Sequence, residues 1–166
     1  MQGIAAEASV GKSAIYRRWD SREAVLAAAV EGMVSEIGLA DTGSLRTDLL
    51  ELMYRAIVLY RGASGRLMPG LVSAMAQDAQ VASAVREGFL APRRAALREV
   101  LRRGIERGEL RADIDQELAL DFLGGPLFYR LLITGGPLDD SLAEGTVDVM
   151  LRGMASHTPT PTREAQ

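Results

Sequence analysis

A chain of 166 residues can bury one good core, or one core with a small appended module, and 48% hydrophobic with 25% charged content suits a soluble globular protein. A net charge of -3 argues against a wholesale nucleic-acid coat but leaves room for a local basic face, because phosphates respond to nearby charge more than to a distant total. The absence of cysteine excludes disulfides and thiolate metal sites, and the longest apolar run, 122–133, is interrupted by Arg130 and falls short of the ~20 residues that span a bilayer.

In chain order, residues 4–19 come first. They read as a short helix, a three-residue break at 9–11 and a second short helix. Ile15 and Trp19 share one face of the second helix and form a seam with Ala5, Ala8 and Val10. That leaves Lys12, Ser13, Ala14, Tyr16, Arg17 and Arg18 on the outer sides. The layout is that of a helix-turn-helix whose second helix enters the DNA major groove. Small Ser13 and Ala14 permit close approach, and Lys12 and Arg17 reach guanine O6 and N7. Tyr16, Arg18 and Arg22 suit phosphate contacts, which set register without reading sequence. The competing reading is three solvated arginines beside an aromatic core residue.

Asp20-Ser21-Arg22-Glu23 resembles a capping box, and the helix it opens carries Val25, Leu26, Ala29, Val30, Met33 and Ile37 on one face. The stretch 39–44 is the expected boundary, giving a helix-turn-helix module with its connecting helix over 1–39 and a helical body over 40–155. The spacing predicts a helix over 45–60 with Leu45, Leu49, Leu52, Met53, Ala56, Ile57 and Tyr60 inward, ended by 61–65. A shorter helix is expected over 67–77, with Pro69 in its first turn. A long one is expected over 81–107, with Val85, Phe89, Leu97, Leu101 and Ile105 buried, Pro92 kinking or dividing it and Gly108 stopping it.

The segment 118–133 is apolar nearly all round, so it must be buried on several sides, although Gly124-Gly125-Pro126 would interrupt it or permit close backbone approach. A last helix is expected over 140–154 and a disordered tail over 156–166. The fold class is therefore all-α. Both 118–133 and the last helix are dimer candidates, with Leu120, Leu123, Leu127, Leu131, Val147, Met150 and Leu151 as interface residues; the alternative is that both are interior to one subunit. Met53, Tyr54, Met68, Met75, Phe89 and Phe128 are candidates to line an adaptable apolar pocket, against the reading that they are ordinary core.

Catalysis finds no support. His157 lies in the tail, there is no cysteine nucleophile, and no Gly-rich phosphate loop follows a strand. Asp113, Asp115 and Glu117 read as a solvated run rather than a metal site, and no cofactor is expected. With no signal peptide visible, the expectation is a cytoplasmic protein with no membrane partner.

The series Ile4-Ala5-x-x-Ala8-x-Val10-x-Lys12-x-x-Ile15-Tyr16-x-x-Trp19-x-Ser21-Arg22-Glu23-Ala24-Val25 resembles the DNA-binding signature of the TetR/AcrR transcriptional regulators. Gly108-Glu109-Leu110-Arg111 and 125–132 resemble one branch of that family's regulatory domain. The resemblance implies an all-helical homodimer that represses transcription at a palindromic double-stranded DNA operator and is released by a small-molecule effector; since no cluster of buried acids or bases stands out in the sequence, that effector is expected to be apolar or amphipathic. It places Lys12, Ser13, Ala14, Tyr16, Arg17 and Arg18 at the recognition-helix positions, and Arg22 where the family has a phosphate-binding lysine. Ser9 and Gly11 stand in roughly swapped places relative to the family's turn. The family's module also has a complete helix before Ile4. The expectation is a chain lacking its natural start, the alternative a weakened DNA-binding head. In the latter case the better reading is a helical dimeric protein-interaction module without DNA binding.

Overall fold

A computed structural model describes residues 41–154 of the chain. The helix-turn-helix residues, the capping box at Asp20, the connecting helix and the tail lie outside the described residues.

Among the described residues the architecture is all-helical. Six α-helices run in order: α1 (Leu45–Arg61), α2 (Ala63–Gln77), α3 (Ala79–Val85), α4 (Ala91–Glu106), α5 (Gln116–Tyr129) and α6 (Asp140–Met154). π-helical turns at Arg86–Leu90 and Arg130–Thr134 follow α3 and α5. Leu67–Arg94 belongs to one compact unit, and 41–66 with 95–154 belongs to another.

In the second unit, α1 begins where Ser44 accepts a hydrogen bond from the Thr47 N–H, satisfying one of the free donors of the first turn. Its inward stripe is Leu45, Leu49, Met53, Ile57 and Tyr60, as the spacing predicts, while Leu52 and Ala56 are half-buried. Each fully buried aliphatic side chain of this kind contributes about 1.5–3 kcal/mol. The stripe contains one residue that the apolar pattern omits, Asp48, which is wholly buried. α1 packs on α6, and α6 on α5. The core of this unit adds Val100, Leu101, Leu110, Ala119, Leu120, Leu123, Leu127, Leu142, Ala143, Val147 and Met150.

Three expectations are corrected. The break after α1 is a single residue, Gly62, so α2 starts at Ala63 rather than at 67. Gly65 makes this possible: a Cβ there would lie 1.7 Å from the Tyr60 carbonyl oxygen, so only glycine lets α2 resume so close to the end of α1. Pro69 consequently sits inside α2, not in its first turn, and withholds the N–H that the Gly65 carbonyl would accept.

The helix expected over 81–107 is divided before Pro92, but by a π turn in which Ala91 N–H donates to the Arg86 carbonyl. The buried positions beyond it are Val100, Leu101 and Gly104, with Leu97 and Ile105 only half-buried. The extra residue in the wide turn shifts the phase of the stripe. α4 then ends as expected: Gly108 takes φ +74°, its N–H donates to Ile105 and that of Glu109 to Gly104, the paired bonds of a Schellman stop.

The third correction concerns α5, which runs through Gly124, Gly125 and Pro126 without interruption. Among the described residues a Cβ at Gly125 would meet nothing within 4 Å, and one at Gly124 only the Phe128 ring at 4.0 Å, so no close backbone approach among them requires either glycine. α5 is capped by Asp115, whose carboxylate accepts from the Leu118 N–H.

In the first unit, Asp78 caps α3 by accepting from the Gln80 and Val81 N–H groups. Met68, Leu71, Ala74, Val81, Ala82, Val85 and Phe89 are buried there. Arg93 lays its guanidinium 3.7 Å from the Phe89 ring centre and donates to the Phe89 carbonyl at 3.0 Å.

Candidate functional site

The outer side of α5 is the most conspicuous unassigned surface. Leu118 (60% exposed), Phe122, Tyr129 (59%) and Ile133 (70%) are large apolar residues open to solvent, and Gly125 is exposed between them. Their spacing of four, three, four and four residues places them on one helical face. The π turn at Arg130–Thr134 carries that face one turn past Tyr129 to Ile133, and ends where Gly135 N–H donates to the Arg130 carbonyl. The neighbouring α6 exposes Val149 (59%), flanked at four residues on either side by exposed Gly145 and Gly153. Among the described residues a Cβ at either glycine would meet nothing within 4 Å. A face of this composition is unfavourable to leave in water.

Of the interface residues expected from sequence, Leu120, Leu123, Leu127, Val147 and Met150 lie in the interior of their own chain, and Leu131 and Leu151 are half-buried. The five interior side chains present no surface to a second copy, while Leu131 and Leu151 keep part of theirs. The exposed apolar residues that sequence reasoning did not single out are Leu118, Phe122, Tyr129, Ile133 and Val149. Their signal was available as a second apolar stripe beside the first.

The six pocket candidates divide between the two units. Met53, Tyr54 and Phe128 fall in one, and Met68, Met75 and Phe89 in the other. Met53, Met68 and Phe89 are buried, and the other three are half-buried. Phe128 stands edge-on to Tyr60, with ring centres 5.3 Å apart. The Tyr54 hydroxyl donates to Glu144 at 3.4 Å, and partial desolvation together with that carboxylate raises the phenol above its ordinary value.

The acidic run at 113–117 is accounted for without a metal. Asp115 caps α5, Glu117 pairs with Arg98 at 2.6 Å, and Asp113 stands 3.7 Å from Arg111. Among the described residues no cluster of three or more metal-ligating side chains forms, and no helix is long and apolar enough to cross a membrane. Lys12, Ser13, Ala14, Tyr16, Arg17, Arg18 and Arg22 lie outside the described residues.

The comparisons with known proteins cover both halves of the sequence. Residues 1–29 match the bacterial regulatory proteins of the tetR family, and residues 39–150 match the tetracyclin repressor-like C-terminal domain. Over 158 residues the chain is 32% identical to the uncharacterized HTH-type transcriptional regulator YdeS of Bacillus subtilis, a match spanning 95% of this chain and 80% of the relative. It is 33% identical over 153 residues to the DNA-binding transcriptional repressor TetR of Mycobacteroides abscessus, covering 91% of this chain and 80% of that one. The crystal structure of the TetR family transcription regulator SCO0332 superposes with a TM-score of 0.69 at 34% identity, over 93% of this chain and 86% of that chain. These relatives are transcriptional regulators, a class that does not act by enzymatic chemistry. The chain belongs to the TetR family of DNA-binding transcriptional regulators.

Proposed function

We propose that the protein is a repressor that binds a palindromic operator as a homodimer and is released by a small apolar or amphipathic effector. The observation carrying this reading is the outer apolar face of α5 and α6, which a lone subunit would leave in water and a second copy would cover. Two copies related by a twofold axis present two recognition segments, and a palindromic site mirrors that symmetry at half-sites ~34–36 Å apart. The relative from Mycobacteroides abscessus, itself a repressor, supports the sign of regulation.

In this reading Lys12 and Arg17 read bases, with Ser13 and Ala14 giving them close approach. Tyr16, Arg18 and Arg22 hold phosphates, Arg22 aided by the positive end of the helix it opens. The effector class follows from the core. Asp48 is the one buried charged side chain among the described residues, so an apolar molecule finds adaptable surroundings within either unit taken by itself: Met53 with half-buried Tyr54 and Phe128 in one, Met68 and Phe89 with half-buried Met75 in the other. The effector acts by favouring one spacing of the two recognition segments over another.

The test is binding to a duplex selected by the protein from a random-sequence pool. If each dimer neutralises about six phosphates, the log–log salt slope is near -5. Arg17→Ala relaxes preference at one base position at a cost of ~1–3 kcal/mol, and Arg22→Ala weakens all duplexes alike. Uniform loss in both variants refutes the division of roles, and no salt-dependent duplex binding at all refutes the proposal.

A further inference from the structure

Asp48 is wholly buried, and its charge is unequally satisfied. Oδ1 accepts from the Thr42 N–H at 2.8 Å and the Thr42 hydroxyl at 2.7 Å. Oδ2 has no hydrogen-bond partner, and Arg107 Nη2 stands 3.6 Å away, too far to donate well. Arg107 cannot close on it because it is shared: Nε holds Glu109 at 2.5 Å and Nη1 lies 4.0 Å from Asp41. Asp41 in turn pairs with Arg103 at 2.9 Å, and the other oxygen of Glu109 accepts from the Leu45 N–H at 2.8 Å. Beneath this polar layer Leu45 presses on Gly104, where an added Cβ would come within 2.8 Å of the leucine methyl.

The segment 41–45 is thus tied along its length to the last turns of α4 and the stop that follows them. A buried carboxylate with one oxygen left over is an expensive way to join two helices, since an apolar pair of similar size would do so at lower cost. What the arrangement adds is direction. Hydrogen bonds and ion pairs fix the path of the backbone at Asp41 and Thr42, which an apolar contact would leave free to slide.

We propose that Asp41, Asp48, Arg103, Arg107 and Glu109 form a charge clasp that sets the path of the chain where it enters the helical body from the DNA-binding segment, making Asp41 and Asp48 positioning residues for operator binding although neither touches DNA. The proposal rests on the DNA-binding reading above. These bonds tie the position of residue 41 to that of Arg103 and Arg107 at the end of α4.

The test uses the full chain and a duplex selected by it. Asp48→Ala removes the oxygen that accepts from the Thr42 amide, and the hydrogen exchange of that amide quickens by about tenfold or more relative to amides in α6. Asp41→Asn, at an exposed side chain where folding is not at risk, weakens duplex binding about three- to thirtyfold with the salt slope unchanged. Asp41→Glu, which still reaches both arginines, restores the affinity. Glu51→Gln, which breaks an exposed ion pair elsewhere on α1, leaves it unaltered. Parent-like affinity in both Asp41→Asn and Asp48→Ala overturns the proposal while leaving the DNA reading intact, as does equal loss in Asp41→Asn and Asp41→Glu. A parent chain that selects no duplex overturns both.

Discussion

Ile133→Ala is the substitution that weighs most on the proposed dimer. Ile133 is 70% exposed in the single chain and makes the far end of the outer face of α5. The change removes three carbons. At about 0.8 kcal/mol per methylene, and counting only the exposed fraction, the loss is roughly 1.7 kcal/mol per copy. A twofold interface uses the same patch twice, so the dimer loses about 3.4 kcal/mol, which weakens its dissociation constant by about 300-fold. Sedimentation velocity over a dilution series measures that constant directly. Val58→Ala is the matched control, since Val58 is 72% exposed and belongs to α1 rather than to α5 or α6. Equal dissociation constants for Ile133→Ala and the parent, or an equal shift in both variants, would refute the assignment of the face.

Three further outcomes are expected. Gly65→Ala should destabilise the fold by about 3 kcal/mol, because the clash with the Tyr60 carbonyl outweighs the ~1 kcal/mol that alanine otherwise gains in a helix; the melting temperature falls by about 6–12 °C, and a rise would refute the close approach. Asp78→Ala removes both capped donors of α3 and costs about 1 kcal/mol, read from denaturant midpoints. Asp139 is held below its ordinary value of 3.8, first by the Ser141 hydroxyl and then by the Leu142 N–H, so its contribution to α6 is present above that value and is lost as pH falls through the lower folded one. Its carboxyl chemical shift should therefore titrate with a midpoint below 3.8, moving up in Ser141→Ala, and a midpoint at or above 3.8 would refute the cap.

Much of the body was legible because its signals are local. Ser44 followed by apolar residues at Leu45, Leu49, Met53 and Ile57 marks both the start and the inner face of α1, and Gly108 marks the end of α4. The start of α2 was not legible, since Gly62-Ala63-Ser64-Gly65 has the composition of a loop. The use of Gly65 depends on the Tyr60 carbonyl that it passes, which composition does not reveal. Asp48 was hidden for a different reason. An acid in the first turn of a helix ordinarily favours the helix dipole from solvent, and its partner Arg107 is distant in sequence. Its position three residues after Leu45 and one before Leu49 was the clue that it faces inward. The recognition segment was legible through its motif, which the match at residues 1–29 accompanies, while its side-chain roles rest on chemistry alone.

The all-round apolar character of α5 posed a choice between subunit interior and interface, and the structure dissolves that choice. One side of the helix, Ala119, Leu120, Leu123 and Leu127, fills the core of its own chain; the other, Leu118, Phe122, Tyr129 and Ile133, remains outside. A single helix therefore carries two apolar stripes, to which the proposed dimer gives separate and experimentally separable duties. Leu123→Ala opens a cavity at a residue 1% exposed and should cost 2–5 kcal/mol of folding stability, measured by denaturant unfolding at fixed protein concentration. Where the variant is still folded, its dimer constant should stay near that of the parent, because the outer stripe is untouched. Ile133→Ala should show the reverse, with dissociation weakened and the stability of the isolated subunit unchanged. If Leu123→Ala instead loosens the dimer as much as Ile133→Ala does, the inner stripe is not insulated from the outer one, and the division of α5 into a core side and a pairing side fails.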